Sequence, residues 1–491
     1  MSRLHRTVPL ALATATALAA TALAATPALA ATPEPAAPTA DFNADGYPDL
    51  AVGLPSATVS GKAGAGYVNV VWGGPKGVGS HGSVRISQDS ARVPGVPEAG
   101  DRFGASVTAA DIDGDGVTDL VVGVPGEDGE VRDGGTVTIV HGAKGGFGTG
   151  RPLADGINTG VKYGLSLAAG DFDGDGKNDL AIGATDKVQL YKGGGTTDPR
   201  LSTTTFAGDH MGGRAPLLAT GDFDSDGRTD LAVAHYQQGQ PYFQSHVLLY
   251  GWNTDEKSML LFWANDNGAA NALAVGDFDG DGHDDLALGD CREIADENID
   301  DPCGPEELTK GGGVHIRYGA GPGGSFGYRK QTLNQDTPGV PGVAESGDGF
   351  GDALAVADLD GDGRDDLIVG APGEAIGSKA KAGAFTVLRG SPAGVLDASG
   401  RAVGVGVQQD TSGVPGVAEA GDRFAAALTA ADYDHDGTAD LVAGSPGENA
   451  SLGAAWLLPG GDDSPVTAFS PRTLTLPASS DPLAYGGILA P

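Results

Sequence analysis

Residues 111–120 read DIDGDGVTDL, and six other decapeptides share their pattern of Asp at positions 1, 3, 5 and 9 and Gly at position 6. The one departure is Asn43, which takes the place of Asp at position 3 of the first copy. Repetition of a motif along a chain indicates an architecture of similar units. The other copies are DFNADGYPDL from Asp41, DFDGDGKNDL from Asp171, DFDSDGRTDL from Asp222, DFDGDGHDDL from Asp277, DLDGDGRDDL from Asp358 and DYDHDGTADL from Asp432.

Short apolar segments around each decapeptide are typical of strands. The copy at Asp111 is preceded by FGASVTA at 103–109 and followed by LVVG at 120–123, and the alternating segment GTVTIV follows at 135–140. A unit of about 65 residues accommodates the four strands of a propeller blade. The 83 Gly residues also favour a turn-rich all-β chain. We therefore predict an all-β, seven-bladed β-propeller with one Asp loop per blade.

The two ends of the repeat array predict how the ring closes. The first decapeptide begins at Asp41 without a complete strand before it, whereas YGGILAP at 485–491 has the pattern of FGASVTA at 103–109. If Ala40 is aligned to follow Pro491, Asp41 has the same spacing from YGGILAP as Asp111 has from FGASVTA. We expect the C-terminal strand to complete blade 1.

The alternating acidic positions predict calcium sites, about one per blade. A turn that curls around a cation directs alternate side chains inward, and position 7 can add its backbone carbonyl. Ca²⁺ takes about six to eight oxygen ligands, and Gly at position 6 permits the sharp turn. The predicted metal ligands are Asp41, Asn43, Asp45 and Asp49; Asp111, Asp113, Asp115 and Asp119; Asp171, Asp173, Asp175 and Asp179; Asp222, Asp224, Asp226 and Asp230; Asp277, Asp279, Asp281 and Asp285; Asp358, Asp360, Asp362 and Asp366; and Asp432, Asp434, Asp436 and Asp440.

Two other interpretations of these loops compete with calcium binding. An EF-hand requires an acidic residue at position 12, where the seven copies carry apolar residues such as Val122 and Leu288. Asp and Gly also favour turns that bind nothing. Because unneutralised carboxylates repel one another when crowded, seven such turns favour the metal-binding interpretation.

The N-terminal region has the pattern of a secretion signal. Arg3, His5 and Arg6 precede an apolar Ala/Leu/Thr segment, and ALA at 28–30 supplies a small-residue cleavage site. We predict a signal peptide at 1–30, a Pro/Ala linker at 31–40, a single propeller domain at 41–491 and an extracellular location. In an oxidising compartment, Cys291 and Cys303 are expected to form a local disulfide.

The formal net charge of −35 limits the classes of partner. A phosphate backbone would be repelled, so nucleic-acid binding is excluded. Beyond the signal region, no apolar segment reaches the roughly 20 residues that span a bilayer. The chain is expected to be a monomer without a membrane span.

The pairing of Phe103-Gly104 with VGVP at 122–125 resembles the FG-GAP repeat of integrin α-subunit propellers. Phe350-Gly351 with VGAP at 369–372 matches this pattern closely, and blade 7 keeps Phe424 with AGSP at 443–446. The resemblance, shared by many secreted bacterial proteins, implies calcium loops on one face of a seven-bladed propeller and recognition loops on the other.

Two regions are candidates for partner binding. Blades 2, 6 and 7 share a connector that begins at Gln88, Gln335 or Gln409 and contains an acidic pair, Glu98 with Asp101 in the first copy. Such a pair is either part of an acidic recognition patch or a turn cap. The other region, 236–263, is rich in aromatic residues, of which Tyr236, Tyr242 and Phe243 are the candidates for surface exposure and Tyr250 and Trp263 for strand packing.

Two functions remain compatible with these patterns. The first is a secreted binding or adhesion module for an extracellular glycan or surface protein. The second is a calcium-dependent polysaccharide-degrading enzyme of the lyase type. The sequence contains GGSFG at 323–327, but in a Gly-rich segment without the helix that a nucleophile elbow requires. No catalytic residues are assigned, and binding is favoured over catalysis.

Overall fold

The computed structural model describes residues 40–129, 131–153, 162–194, 200–205, 215–238, 243–265, 270–289, 310–321, 324–460, 465–477 and 482–490. The predicted signal peptide, nearly all of the predicted linker, Cys291, Cys303 and Tyr242 lie outside these residues. Within the described part, no helix has the length and apolar character of a membrane span.

The described strands form seven four-stranded antiparallel sheets, one for each Asp loop. The first four sheets are blade 1, with β28 (Leu489–Ala490), β1 (Leu50–Leu54), β2 (Tyr67–Val71) and β3 (Ser83–Ile86); blade 2, with β4 (Ser106–Ala110), β5 (Asp119–Val124), β6 (Thr136–Ala143) and β7 (Gly146–Pro152); blade 3, with β8 (Ser166–Gly170), β9 (Asp179–Gly183), β10 (Lys187–Tyr191) and β11 (Arg200–Thr205); and blade 4, with β12 (Leu217–Gly221), β13 (Asp230–Gln238), β14 (Phe243–Asn253) and β15 (Ser258–Asn265).

The remaining three sheets follow the same order from inner to outer strand. They are blade 5, with β16 (Ala272–Gly276), β17 (Asp285–Gly289), β18 (Val314–Arg317) and β19 (Lys330–Leu333); blade 6, with β20 (Ala353–Ala357), β21 (Asp366–Ala371), β22 (Ala384–Leu388) and β23 (Gly404–Val407); and blade 7, with β24 (Ala427–Ala431), β25 (Asp440–Ser445), β26 (Ala454–Leu458) and β27 (Thr467–Phe469). A short helix, α1 (Glu448–Ser451), follows β25.

The seven sheets close into a ring. The inner strand of each sheet packs against the inner strand of the next, from β4 on β8 through to β24 on β28, and β28 packs on β4. The prediction of a seven-bladed, all-β propeller is therefore confirmed.

The closing strand has the predicted register. Leu489 pairs with Val52 of β1, and in blade 2 the equivalent Val107 pairs with Val122. The Gly53 N–H also donates to the carbonyl of Ile488 at 3.1 Å. Because the same register governs both blades, β28 supplies the inner strand that the start of the repeat array lacks.

The hydrophobic core is divided among the interfaces between blades. The described residues contain seven buried apolar clusters, and each is shared by two neighbouring blades. The cluster between blades 7 and 1, for example, joins Val442 and Leu457 to Leu50 and Val52. The second strand of the blade explains this arrangement. Strands β1, β5 and β9 are each buried along their whole length, as their apolar sequences predict, so they pack against neighbouring blades on both faces.

Close backbone contact between blades explains why glycine recurs in two parts of the FG-GAP-like pattern, in the Phe-Gly pair before the Asp loop and in the VGVP-type segment after it. A Cβ added to Gly123, in the second strand of blade 2, would lie 2.1 Å from the carbonyl oxygen of Gly164 in blade 3. The same relationship joins Gly53 of blade 1 to Gly104 of blade 2 and Gly444 of blade 7 to Gly486 beside the closing strand. Glycine at these positions allows neighbouring sheets to touch through their backbones.

Candidate metal centres

All seven Asp loops lie on one face of the ring. In blade 2 the loop begins after Ala110, the last residue of inner strand β4, and ends at Asp119, the first residue of β5. We call the seven loops 1 to 7, by blade. Loops 3 to 7 connect the same two strands of their blades, and loop 1 leads into β1, with which β28 pairs. Topology therefore places the seven candidate centres in equivalent positions.

Each loop is anchored by its second residue. This side chain is buried in six of the seven loops, as Phe42, Ile112, Phe172, Phe223, Phe278 and Tyr433, and Leu359 of loop 6 is partly buried. Burying one apolar side chain stabilises the fold by roughly 1.5–3 kcal/mol. The anchor fixes the start of the loop, so the acidic side chains that follow are held at the surface by the core beneath them.

The carboxylate at position 1 organises the turn. In loop 2, Asp111 accepts hydrogen bonds from the backbone N–H groups of Asp115 at 3.2 Å and Gly116 at 2.9 Å. Gly116 has φ of 87°, a left-handed conformation that glycine adopts without strain. The same pair of bonds recurs in the other six loops, at Asp41, Asp171, Asp222, Asp277, Asp358 and Asp432.

The Asp at position 9 is buried in every blade. Asp49 accepts the N–H of Phe42 at 3.0 Å and the N–H of Gly73 at 2.9 Å, so its carboxylate joins the start of loop 1 to the end of β2. Asp440 makes the corresponding bonds to Tyr433 and Gly460 in blade 7. The position-9 side chain is therefore part of the acidic cluster and also holds strands of the blade together through hydrogen bonds.

In loop 1 and in loops 3 to 7, burial raises the pKa of the position-9 carboxyl. Desolvation raises the pKa of Asp49 to about 7, against the partly compensating hydrogen bonds from Gly73 and Phe42. It likewise raises the pKa of Asp179 to about 6, of Asp230 and Asp285 to about 8 and of Asp440 to about 7. A buried carboxylate is costly unless a cation or donors offset its charge.

The donor set suits a hard divalent cation. In loops 2 to 5 three predicted ligands bring carboxylate oxygens within 4.8 Å of one another, as Asp171, Asp173 and Asp179 do in loop 3. Two buried oxygens of the predicted ligands, Oδ1 of Asn43 in loop 1 and Oδ2 of Asp179 in loop 3, have no hydrogen-bond partner. Oxygen-only ligands with unsatisfied lone pairs fit Ca²⁺.

Basic side chains reach several loops, which the sequence analysis missed. Lys192 contacts Asp173 and lies 2.7 Å from Asp175, and Arg389 contacts Asp366 and lies 3.5 Å from Asp360. Both follow the third strand of their blade directly, where blade 2 has His141 and blade 1 has Trp72. The residue at this position differs from blade to blade, so the repeat pattern contains no signal for these contacts.

Neighbouring loops are also linked by their own acidic residues. Asp284, at position 8 of loop 5, accepts the backbone N–H of Asp222 in loop 4 at 2.7 Å. Asp365 of loop 6 accepts the N–H of Asp277 in loop 5 at 2.9 Å. In loops 5 and 6, the position-8 carboxylate therefore connects one candidate centre to the next.

On the opposite face, the acidic connector residues form turns. Asp101 is buried and accepts the N–H of Glu98 at 2.5 Å, and its carbonyl accepts the N–H of Gly126 at 3.0 Å. Asp348 and Asp422 repeat both bonds. The turn-cap interpretation therefore accounts for these aspartates, and a recognition patch would have to be formed by the exposed glutamates.

Within the aromatic region, Tyr250 is buried and Trp263 packs edge-on against Phe326 at 5.4 Å between ring centroids. Both therefore pack with the strands, as predicted.

Comparisons with known proteins give one family. The FG-GAP repeat model matches residues 35–71, 103–140, 350–388 and 424–458, and an FG-GAP-like repeat model matches 171–233 and 222–288.

Relatives with similar sequences are larger proteins. Phosphatidylinositol-glycan-specific phospholipase D of Bos taurus is 28% identical over 235 residues, which are 46% of this chain and 25% of the relative. Integrin alpha-V of Gallus gallus is 30% identical over 216 residues, 40% of this chain and 19% of the relative. The chain thus spans about a quarter or less of the length of these relatives.

Among solved structures, the exotype rhamnogalacturonan lyase YesX has a TM-score of 0.30 at 14% identity, over 84% of this chain and 85% of the lyase. The Tc holotoxin pore of Photorhabdus luminescens has a TM-score of 0.37 at 15% identity, over 82% of this chain and 16% of that one. TM-scores this low do not support a conclusion about this chain.

The family matches include residues of all seven blades. Integrin alpha subunits carry the same repeat. The chain belongs to the FG-GAP repeat β-propellers.

Proposed function

We propose that this chain is a secreted β-propeller, stabilised by calcium in its Asp loops, that binds an extracellular glycan or surface protein. The observation that carries the proposal is the repeated loop, in which a turn anchored in the core presents several carboxylates and a buried carboxylate at position 9. The 28 predicted ligand residues, from Asp41 to Asp440, are the proposed calcium ligands.

The position of the loops favours a structural role for the metal. Loops 2 to 7 join the first two strands of their blades, and loop 1 leads into the second strand of blade 1. The Asp at position 9 also contacts the end of the third strand in blades such as 1 and 7. An ion in the loop would therefore tie three strands together. At tenfold excess over its dissociation constant, each bound ion stabilises the fold by roughly 1.4 kcal/mol, and extracellular sites commonly bind calcium at about 10⁻⁴–10⁻³ M.

The proposal also covers the organisation of the whole chain, including regions outside the described residues. Residues 1–30 are proposed as the secretion signal, 31–40 as a linker and 41–491 as the propeller domain. A disulfide between Cys291 and Cys303 would close a short loop in blade 5, which is consistent with export.

The proposed binding function is tested with the mature protein and a panel of polysaccharides, cell-wall fractions and immobilised surface proteins. Each is incubated with calcium and with a chelator, and both retention and depolymerisation are measured. Calcium-dependent retention without cleavage is the expected result. New unsaturated or reducing sugar ends would replace the proposal with the enzymatic alternative, and absence of retention across the panel would contradict it.

A further inference from the structure

A cavity of about 440 Å³ opens between blades 1 and 2 on the face that carries the Asp loops. Asn43 and Asp45 of loop 1 line one side of it, and Trp72 and His81 of blade 1 and Lys144 of blade 2 line the rest. The turn that carries Lys144 is fixed to loop 1, because the N–H of Gly145 donates to the carbonyl of Asn43 at 2.7 Å. The cavity is thus built from elements that are bonded to each other.

Loop 1 differs from the other six loops in its charge. Asn43 replaces an aspartate, so the four ligand positions carry three carboxylates instead of four. Asn43 is only 7% exposed, and its buried Oδ1 has no hydrogen-bond partner. A divalent ion in this loop would keep more of its positive charge than an ion in a four-carboxylate loop. It could attract an anionic ligand from the cavity.

Trp72 provides a rigid apolar wall in the same cavity. Its ring packs against Phe147 with 5.8 Å between centroids, and Phe147 packs against the buried Phe42 at 5.5 Å. At the equivalent position, blades 2, 3 and 6 have His141, Lys192 and Arg389, which contact their own loops. Among the described residues, no ion pair reaches the carboxylates of loop 1. A sugar ring can pack its C–H face on an indole held in this way.

A lysine and a histidine complete the lining of the cavity. The amine of Lys144 is exposed, and Nδ1 of His81 lies 2.9 Å from Oγ of Ser80, which orients the imidazole ring. In a chain with a net charge of −35, an anionic ligand needs such local positive charge to approach. A neutral sugar would use the indole but would gain nothing from Lys144 or from a metal ion.

We propose that this cavity binds a uronic-acid residue of an acidic polysaccharide. The carboxylate would lie between the ion in loop 1 and the Lys144 amine, and the sugar ring would pack on Trp72. This inference rests on the proposed calcium binding and places recognition on the same face as the Asp loops. The FG-GAP resemblance instead implies recognition on the opposite face.

The test measures binding of tri-galacturonic acid by calorimetry and by Trp fluorescence, in calcium and in chelator, with a neutral galactose trimer as the comparison ligand. Binding of the acidic trimer in calcium alone is expected. Lys144→Gln should weaken it about tenfold, whereas Lys76→Gln, an exposed lysine of blade 1 that does not line the cavity, should leave it unchanged. Equal binding of the neutral trimer, or unchanged binding in the Lys144 variant, would overturn the inference.

Asn43→Asp separates the uronate inference from the calcium proposal. The added carboxylate should strengthen calcium binding by loop 1 and weaken binding of the acidic trimer, so the two affinities should move in opposite directions. Calcium binding is followed independently through the rise in melting temperature. If calcium raises the melting temperature but the trimer does not bind, the uronate inference fails and the structural role of calcium stands. If calcium neither binds nor stabilises, the proposed function fails as well.

Discussion

The phenolic hydroxyl of Tyr485 donates a hydrogen bond to Oδ1 of Asn69 at 3.0 Å, although 416 positions separate the two residues. Both side chains are fully buried. The Nδ2 group of Asn69 donates to the carbonyl of Val84 at 3.2 Å, which fixes the orientation of its amide. This contact joins the segment before the closing strand to the middle of blade 1.

Removing the Tyr485 hydroxyl should therefore weaken the closure of the ring. Tyr485→Phe leaves a buried acceptor on Asn69 without a partner, which costs about 1–3 kcal/mol in free energy of unfolding. Urea denaturation measures the loss. Tyr328→Phe is the matched control, because Tyr328 is 91% exposed and its substitution should change the free energy little. Equal stability of both variants would show that the contact does not hold the ring closed.

Gly123→Ala should destabilise the interface between blades 2 and 3. The new Cβ would meet the carbonyl oxygen of Gly164 at 2.1 Å, and the sheets would have to separate. Overpacking of this kind costs about 1–3 kcal/mol. Gly129→Ala is the control, because no atom lies within 4 Å of its added Cβ. A melting temperature that falls equally in both variants would contradict the close-contact explanation.

The calcium-free protein should lose stability as the pH rises. Burial raises the pKa of Asp49 from 3.8 to about 7 and that of Asp230 to about 8, so the folded form holds protons that the unfolded chain has released. Stability contributed by these protons is present below pH 4 and is lost progressively towards pH 8. Melting in chelator should fall across this range, and stabilisation by calcium should be larger at pH 8 than at pH 5. A chelated protein that melts higher at pH 8 would contradict the prediction.

Lys192 should compete with calcium in loop 3. Its amine contacts Asp173 and Asp175, so Lys192→Met should lower the melting temperature in chelator and raise the calcium affinity of this loop about tenfold, or about 1.4 kcal/mol. Terbium luminescence and calorimetry measure the affinity. Lys187→Met, at the other end of β10, is the control and should change neither quantity. Weaker calcium binding in the Lys192 variant would assign the amine a supporting role instead.

The register of the closing strand could be predicted because it repeats a pattern. Leu489 occupies the place of Val107, so it pairs with Val52 as Val107 pairs with Val122. The same holds for the turn built around Asp111 and Gly116, whose spacing determines which groups can meet.

The contacts of Lys192, Arg389 and His141 could not be predicted in this way. They lie at a position where the seven units differ, and a contact with the loop depends on the reach of each side chain. The cavity beside loop 1 depends on two blades at once, since Lys144 comes from blade 2 and Trp72 from blade 1. The aspartates of the connectors allowed two interpretations until the hydrogen bond between Asp101 and Glu98 distinguished them.

The closing strand also has a consequence for how propellers of this kind can change in size. Because β28 follows all the other strands in sequence yet pairs with β1, the boundaries of the sequence repeats and of the blades do not coincide. Duplication or deletion of one internal repeat would add or remove a whole blade and leave the pairing of Leu489 with Val52 intact. Six- or eight-bladed descendants could therefore arise by unequal recombination between repeats without a new way of joining the ends.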